Sequence, residues 1–407
     1  MSEIGHAFVS QTGLVTSNST DWSTPTNFEI TGGSLTDSKN YILIANCLVG
    51  GKSTSNNDFM FQMLENGVGQ LGGSQARIEP RRSADNSGHL YFFMDKVTTA
   101  ASANDYEFQF KRYGAGASNA KINDCQLLML NLDDLTTDDW EFAEDNTNLN
   151  ALDNSAWTDG ASITAGDGGN WLIAYSAHVN VDAVAGSIRM ALNVDGSNLD
   201  HIDLESEDTD EEYVIGGLAY LDSLSSSTIK LQFQTDSGTA GDLDVDRNAI
   251  FALRLAAFED HFGERDTTDV PITSAGTTTD VGAVTHTTDT ADTRDWCFLG
   301  YTLSDTGDNG KRIHRRLYSA ATGAITGDLS DHLIISGTTD NVAIPLIGEE
   351  ADIDDDTSVA LKYQVQEESD VSPNPVFIDT HLMAFTYEIA ASTIKRAGQL
   401  GCMGVGR

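Results

Sequence analysis

The sequence predicts an all-β protein: three tandem β-sandwich repeats, jelly-roll-like, followed by a short C-terminal arm. Two observations carry that prediction. The first is a pattern that occurs three times, an aromatic residue at the head of an apolar run: Tyr41-Ile42-Leu43-Ile44-Ala45, Trp171-Leu172-Ile173-Ala174-Tyr175 and Trp296-Cys297-Phe298-Leu299-Gly300-Tyr301. The second is the near absence of helical periodicity. Short apolar or alternating runs, separated by turn residues, fill the chain instead. The three aromatics stand 130 and 125 residues apart. Stacking repeats have periods of about 20 to 50 residues, so a period this long describes a domain.

The other strands follow in the same order in each repeat. A second strand is expected at Phe59–Leu64, Ser187–Leu192 and Ile313–Tyr318, ending in the turn pairs Asn66-Gly67 and Asp195-Gly196 in the first two copies. A third is expected at Leu90–Met94, Tyr213–Leu218 and Val342–Ile347. The fourth carries the closest match, Phe108-Gln109-Phe110, Leu231-Gln232-Phe233 and Tyr363-Gln364-Val365. Its alternation, as in Ile229–Gln234, indicates a sheet with one wet face. A fifth closes each repeat at Cys125–Leu130, Ala249–Leu255 and His381–Tyr387. The Ser/Thr/Gly-rich stretch before each aromatic strand leaves room for one or two weaker strands. About seven or eight strands per repeat suit a jelly roll, but an immunoglobulin-like order fits the same spacing. The repeats run over residues 1–136, 137–258 and 259–391, with polar stretches at Leu135–Asp139 and Glu259–Gly263 marking the joins, and the arm over 392–407.

Charge narrows the partners. The net charge is −39, from 62 acidic and 23 basic residues. Such a surface repels phosphate backbones and anionic bilayers, so neither nucleic acid nor a membrane is an expected partner. The charge is uneven: residues 1–136 carry −5, residues 137–391 carry −37, and residues 392–407 carry +3. The basic arm residues Lys395, Arg396 and Arg407, and the cluster Arg77, Arg81 and Arg82 in the first repeat, are therefore the candidate partner-binding residues. The N-terminus shows no charged region followed by an apolar core, so no signal peptide is expected.

The motifs point away from catalysis. Gly50-Gly51-Lys52-Ser53 resembles the end of a phosphate loop, but Asn46 stands where the first glycine belongs and a strand follows. Asp242, Asp244 and Asp246 place oxygen ligands at alternate positions, a weak calcium candidate. Arg247 stands where an EF-hand needs glycine, no glutamate closes the loop, and a solvated strand face explains the same spacing. Lys311–Arg316 is a basic run in an acidic repeat; it fits either an anionic ligand or pairing with acidic loops. There is no HExxH, no GxSxG and no CxxC among the four cysteines. Cys47 and Cys125 fall in strands of one repeat and read as buried small hydrophobes. No metal, cofactor or catalytic residue is expected.

Tandem β-sandwiches, the missing leader, the missing catalytic motif and the basic Gly-rich tail together resemble virion structural proteins of tailed bacteriophages, of the head-decoration, head-fibre or tail-appendage type. The resemblance is one of general layout. It implies a non-enzymatic role, other virion proteins as partners, homo-oligomers on a symmetric particle, and synthesis in the host cytoplasm before incorporation into the virion. Assembly would run through the first repeat and the arm. A glycan-binding adhesin or carbohydrate-binding module is the alternative, with a host surface glycan as partner; solvent-exposed Trp or Tyr in a concave patch would favour it, and burial of Trp171 and Trp296 would count against it. A polysaccharide-degrading enzyme on a sandwich fold is a third reading.

Overall fold

A computed structural model describes residues 3–390 apart from isolated positions and the stretches 53–57, 79–86, 100–103, 114–118, 182–186, 206–210, 236–242, 288–292, 306–310, 320–322, 327–332, 336–340, 354–357 and 368–374. The first set of strands is β1 (His6–Gln11), β2 (Val15–Ser17), β3 (Glu29–Ile30), β4 (Asn40–Lys52), β5 (Phe59–Glu65), β6 (Gly69–Gln70), β7 (Ala76–Ile78), β8 (Ser87–Thr98), β9 (Tyr106–Arg112) and β10 (Asn119–Asn131). The second is β11 (Trp140–Asp145), β12 (Thr158–Thr164), β13 (Gly169–Val181), β14 (Ser187–Val194), β15 (Ser197–Glu205), β16 (Glu211–Leu224), β17 (Thr228–Thr235) and β18 (Leu243–Arg254). The third is β19 (His261–Asp266), β20 (Val270–Pro271), β21 (Thr279–Thr287), β22 (Arg294–Asp305), β23 (Lys311–Ser319), β24 (Gly323–Thr326), β25 (Leu333–Ile335), β26 (Asn341–Ile353), β27 (Ser358–Glu367) and β28 (Val376–Thr386). Short 3-10 turns at Leu132–Asp134 and Leu255–Ala257 join one set to the next. No helix among the described residues is long and apolar enough to cross a membrane.

Strand pairing repeats with the sets. One sheet of each has the order β1-β10-β4-β8, β11-β18-β13-β16 or β19-β28-β22-β26. The other layer has β3-β9-β5-β7, β12-β17-β14-β15 or β21-β27-β23-β24, the first of these continuing through β7 and β16 into the β11-β18-β13-β16 run as one nine-stranded sheet. Counting principal strands within a set, these orders are first-last-third-sixth and second-seventh-fourth-fifth. That is the jelly-roll arrangement of two Greek keys, which decides against the immunoglobulin order. The fifth position holds two segments in two of the sets: β6 with β7 beside β5, and β24 with β25 beside β23.

The two sheets of a set differ in sequence because they differ in burial. In the second set the outer strand β17 alternates: Ile229, Leu231 and Phe233 are fully buried while Lys230, Gln232 and Gln234 face out. The inner strand β13 is buried at every position from Trp171 to Ala177. A strand covered on both faces reads as a continuous apolar run, and the inner sheets are covered on one side by their own outer sheet and on the other by a neighbouring set. The aromatics that head these strands, Tyr41, Trp171 and Trp296, are 1%, 0% and 0% exposed.

The recurring glutamine of the outer sheet has a local cause. Gln232 donates to Asp159 at 2.6 Å, and Lys230 pairs with the same carboxylate at 2.6 Å. In the third set Gln364 donates to Asp280 at 2.6 Å and Lys362 pairs with it at 2.5 Å. In the first set the glutamine donates in the same way but the carboxylate is on its own strand: Gln109 donates to Thr24 at 3.2 Å, and Thr24 donates to Glu107 at 2.7 Å. In each set the bonds tie an edge segment to its neighbour across the wet face. The predicted turn Asp195-Gly196 closes a two-residue hairpin between Val194 and Ser197, with φ of 50° and 88°, as a primed turn requires.

The three sets close on one another. β7 packs on β16, β15 on β26, and β25 on β8, so the fifth position of each set meets the sixth strand of the next. A single backbone pair, Glu212 with Arg77, joins β16 to β7. The register places Asn46, Ser176 and Tyr301 at one equivalent position, opposite Phe92, Gly216 and Pro345 on the sixth strands. Asn46 donates Nδ2 to the Pro345 carbonyl at 2.9 Å, from the first set to the third. Ser176 Oγ accepts from the Met94 backbone N–H at 3.3 Å, from the second set to the first. Tyr301 meets Gly217, where an added Cβ would lie 2.5 Å from Cε2, and its hydroxyl lies 3.3 Å from that of Tyr175, from the third set to the second. Three contacts of one kind running the same way round form a closed ring.

Each junction also carries a polar lock from the last strand. Asp124 on β10 pairs with Arg315 on β23 at 3.5 Å, with both side chains nearly fully buried. Arg247 on β18 pairs with Asp95 on β8 at 2.7 Å. His381 on β28 accepts the Tyr220 N–H on Nδ1 at 3.0 Å, which leaves Nε2 to donate to Asp379 at 3.3 Å. Arg265 holds Asp379 with two bonds of 2.8 Å. Burial pushes the Asp379 carboxyl up, but the His381 and Arg265 hydrogen bonds outweigh it and hold the group down at about 2.

Candidate functional site

A polar concavity lies at the junction of the first two sets. It is a cleft of about 420 Å³ lined by Gln70, Gly73, Gln75, Asn146, His178, Glu212, Asp246 and Arg247. β13 supplies His178, whose ring lies 3.4 Å from Asp246 and 4.0 Å from Glu212. Burial lowers the His178 pKa even so, against the pull of both carboxylates. Glu212 accepts from Gln75 at 2.9 Å, a bond from one set to the other. Arg247 lies 2.7 Å from Asp95 and 3.2 Å from Glu144, with its guanidinium 5.6 Å from the centre of the Phe93 ring. Burial lifts the Asp95 carboxyl to about 6 although Arg247 pulls it down. Burial also raises Glu144, but Arg247 and Asn146 reverse that and leave it below the usual range.

The charged residues lining this cleft all come from the second set, and two contacts, Glu212 with Gln75 and Arg247 with Asp95, carry it across to the first. No serine or cysteine stands beside His178 in the lining, and the carboxylates flank the imidazole instead of facing each other across an open floor. Glu212–Gln75 and Arg247–Asp95 tie the two strand sets together at this cleft. A smaller recess of about 170 Å³ marks the junction of the third and first sets, lined by Glu3, His6, Thr293, Arg294, Asp295, Tyr387 and Glu388. There His6 stacks on Tyr387 at 3.5 Å and pairs with Glu349 at 3.2 Å.

The residues singled out in the sequence are dispersed. Asp244 and Asp246 sit on strand β18, and Asp246 accepts from Asn148 at 2.8 Å as well as facing His178. Asp242 lies outside the described residues, and among those described no three His, Cys, Asp or Glu side chains gather as a metal cage. Arg77 pairs with Asp58 at 2.5 Å and covers the Tyr113 ring at 4.8 Å, next to the second set. Arg81, Arg82, Lys395, Arg396 and Arg407 lie outside the described residues. Gly51 lies within β4, where a Cβ would sit 2.1 Å from the Phe59 ring; tight packing, not a phosphate, asks for glycine there. The basic run forms β23, with Arg315 buried against Asp124 and Arg316 donating to Gln364 at 2.8 Å. Cys47, Cys125 and Cys297 are buried free thiols.

Sequence reasoning did not find the cleft, whose lining comes from β6, β13, β16, β18 and two loops. The one local signal was Arg247, the odd residue of the aspartate-rich run. Nor did it single out Trp22 and Trp157, which are partly exposed on outer sheets.

No protein-family model and no curated protein matches the chain. Among solved structures it is similar to a protein of an archaeal virus described by its triple jelly roll fold and turret assembly, at 11% identity over 88% of this chain and 81% of that one, with a TM-score of 0.18. It is similar to the structure of the infectious bursal disease virus Gt strain at 8% identity, over 97% and 84% of the two chains, with a TM-score of 0.24. It is also similar to the CBM22-1-CBM22-2 tandem domain of Paenibacillus barcinonensis Xyn10C at 13% identity, over 63% and 96%, with a TM-score of 0.19. Superposition this loose carries no argument about function.

Proposed function

We propose that this chain is a non-enzymatic structural protein of a tailed-phage virion, a capsid decoration, head fibre or tail appendage, built as three jelly-roll domains locked into one rigid block. The observation that supports this reading is the closed ring, with a buried polar lock at every junction. Ionisable groups that could have made a working site lie at the junctions and hold them. A block with its own internal ring needs no trimerisation to be compact, so repetition in the assembly comes from the particle's symmetry. Docking through the first domain and the arm follows from charge: −5 and +3 there, against −37 in between. The acidic domains repel an acidic particle and point away from it. The test is particle composition: purified virions should contain the chain at a fixed copy number, and deleting residues 392–407 should release it while the three domains stay folded. Unchanged occupancy of the truncated chain would rule out the arm as anchor.

The adhesive reading has one observation in its favour, the partly exposed Trp157 on the outer sheet of the second set. The aromatics at the heads of the inner strands give it no support, because Trp171 and Trp296 are core residues.

A further inference from the structure

We propose that the outward face of the β12-β17-β14-β15 sheet binds a neutral oligosaccharide, with the Trp157 indole as its stacking platform. The inference rests on the adhesive reading and is independent of how the chain docks on a particle. Register locates the platform. Thr158 pairs with Phe233, whose side chain is core, so Trp157 and Asp159 fall on the outward side. On the same side Arg189 stands between Gln234 and Asp203, and Ala191 between Gln232 and His201. The Trp157 and His201 ring centroids are 6.2 Å apart at 67°. These residues come from the two opposite edges of the sheet, with β17 and β14 between them, a span of about 14 Å at the usual strand spacing. The indole can meet the imidazole only by lying across the intervening strands. Ala191, beneath that path, is 1% exposed although it belongs to the outward row.

The result is an edge-to-face aromatic pair on the outside of the protein, with the indole as the flat surface, rimmed by planar polar groups. Arg189 holds Asp203 at 3.0 Å and His201 lies 3.4 Å from it. On the other flank stand the Lys230–Asp159 pair and Gln232. A pyranose fits this chemistry: its C–H face packs on an aromatic ring, and its ring of hydroxyls meets amide, carboxylate and guanidinium groups that both give and accept hydrogen bonds. Charge selects the class of sugar. Around the indole two basic residues balance two acidic ones, whereas residues 137–391 as a whole carry −37. Acidic polysaccharides are repelled at long range, and the balanced patch has no excess charge with which to capture them.

The same position in the other sets is closed or vacant. Ser23 bridges to Phe110 and Thr279 pairs with Val365, so Trp22 and Thr278 are the counterparts of Trp157. Lys111 lies over the Trp22 ring at 4.2 Å, whereas among the described residues no cation lies over Trp157. One site per chain follows.

The test is affinity electrophoresis of the full chain in native gels containing xylan, mixed-linkage β-glucan, mannan or dextran. At least one should retard the wild type. Trp157→Ala should lose the retardation, Arg189→Met should weaken it roughly tenfold, and Trp22→Ala should leave it unchanged; unaltered thermal melts would show that each variant is folded. If none of the four polysaccharides retards the wild type, or if folded Trp157→Ala and Arg189→Met are retarded like the wild type, the site is refuted. Particle occupancy of Trp157→Ala, measured alongside, separates this outcome from failure of the docking reading.

Discussion

Asp124 and Arg315 are 191 residues apart in sequence and meet at the junction of the first and third sets. Asp124 occupies a bulge of the β10–β4 ladder with φ of 48°, a conformation that aspartate tolerates better than most residues. Its carboxylate accepts from Gln126 at 2.7 Å and from Arg315 at 3.5 Å, and the two charged side chains are 2% and 3% exposed. Arg315→Met removes one partner and leaves a buried carboxylate with diminished compensation. Breaking such a pair costs about 3–5 kcal/mol. The long Arg315 contact and the surviving Gln126 bond place this case near the lower end, about 3 kcal/mol. Asp124→Asn should cost a similar amount, because it strands the guanidinium. The double variant buries two neutral groups and should recover most of the loss, giving a coupling of at least about 2 kcal/mol in a double-mutant cycle. Denaturant unfolding of the full chain, followed by fluorescence of the buried tryptophans, measures it. Additive effects within about 0.5 kcal/mol would show that the residues do not meet, and the junction would be wrong.

Three further outcomes are expected. Gly217→Ala puts a methyl group 2.5 Å from the Tyr301 ring and 2.8 Å from the Tyr175 hydroxyl, and should lower stability by about 1–3 kcal/mol; Tyr301→Leu in the same chain should relieve most of that in a thermal melt. Asp95, lifted to about 6, contributes stability that is complete below the ordinary carboxylate range and is lost as pH rises through 6, so acidification from pH 7 to 5 should stabilise the protein by about 1 kcal/mol, and Asp95→Asn should flatten that rise. Asp379, held at about 2, acts in the opposite sense: its contribution is present above pH 4 and disappears as pH falls towards 2, so melting temperatures across pH 2–7 should pass through a maximum that Asp379→Asn shifts by removing the acid limb.

Much of each set was legible because its signals are local. Asp195-Gly196 required a tight turn whatever its surroundings. The alternation of Ile229–Gln234 reported one wet face, and Gln109, Gln232 and Gln364 recurred because each bonds a neighbour on its own sheet. The fifth position escaped notice: Ala76–Ile78 and Gly323–Thr326 are too short to show a period. Ring closure is a relation between sets, and only its shadow lay in the sequence. The apolar runs at Tyr41, Trp171 and Trp296 are continuous because both faces are covered, yet a run cannot say what covers it. The same blindness explains the basic run. Arg315 fitted either an anionic ligand or pairing with acidic loops, while its partner, Asp124, is on a strand at the opposite face of a junction no local pattern could place. The aspartates of β18 read as a solvated or calcium-binding stretch for a similar reason, since His178 and Asn148 come from other strands and loops.

Closure of the three sets is the central claim, and small-angle X-ray scattering of the monomer tests it most directly. A compact chain of 407 residues should have a radius of gyration of about 22 Å, whereas three equal domains strung in line would give about 33 Å. The ring predicts a value near the lower figure that holds from low to high salt, because its locks are buried and poorly screened. A value near the upper figure, or one that grows as salt is withdrawn and the acidic sets repel, would contradict it.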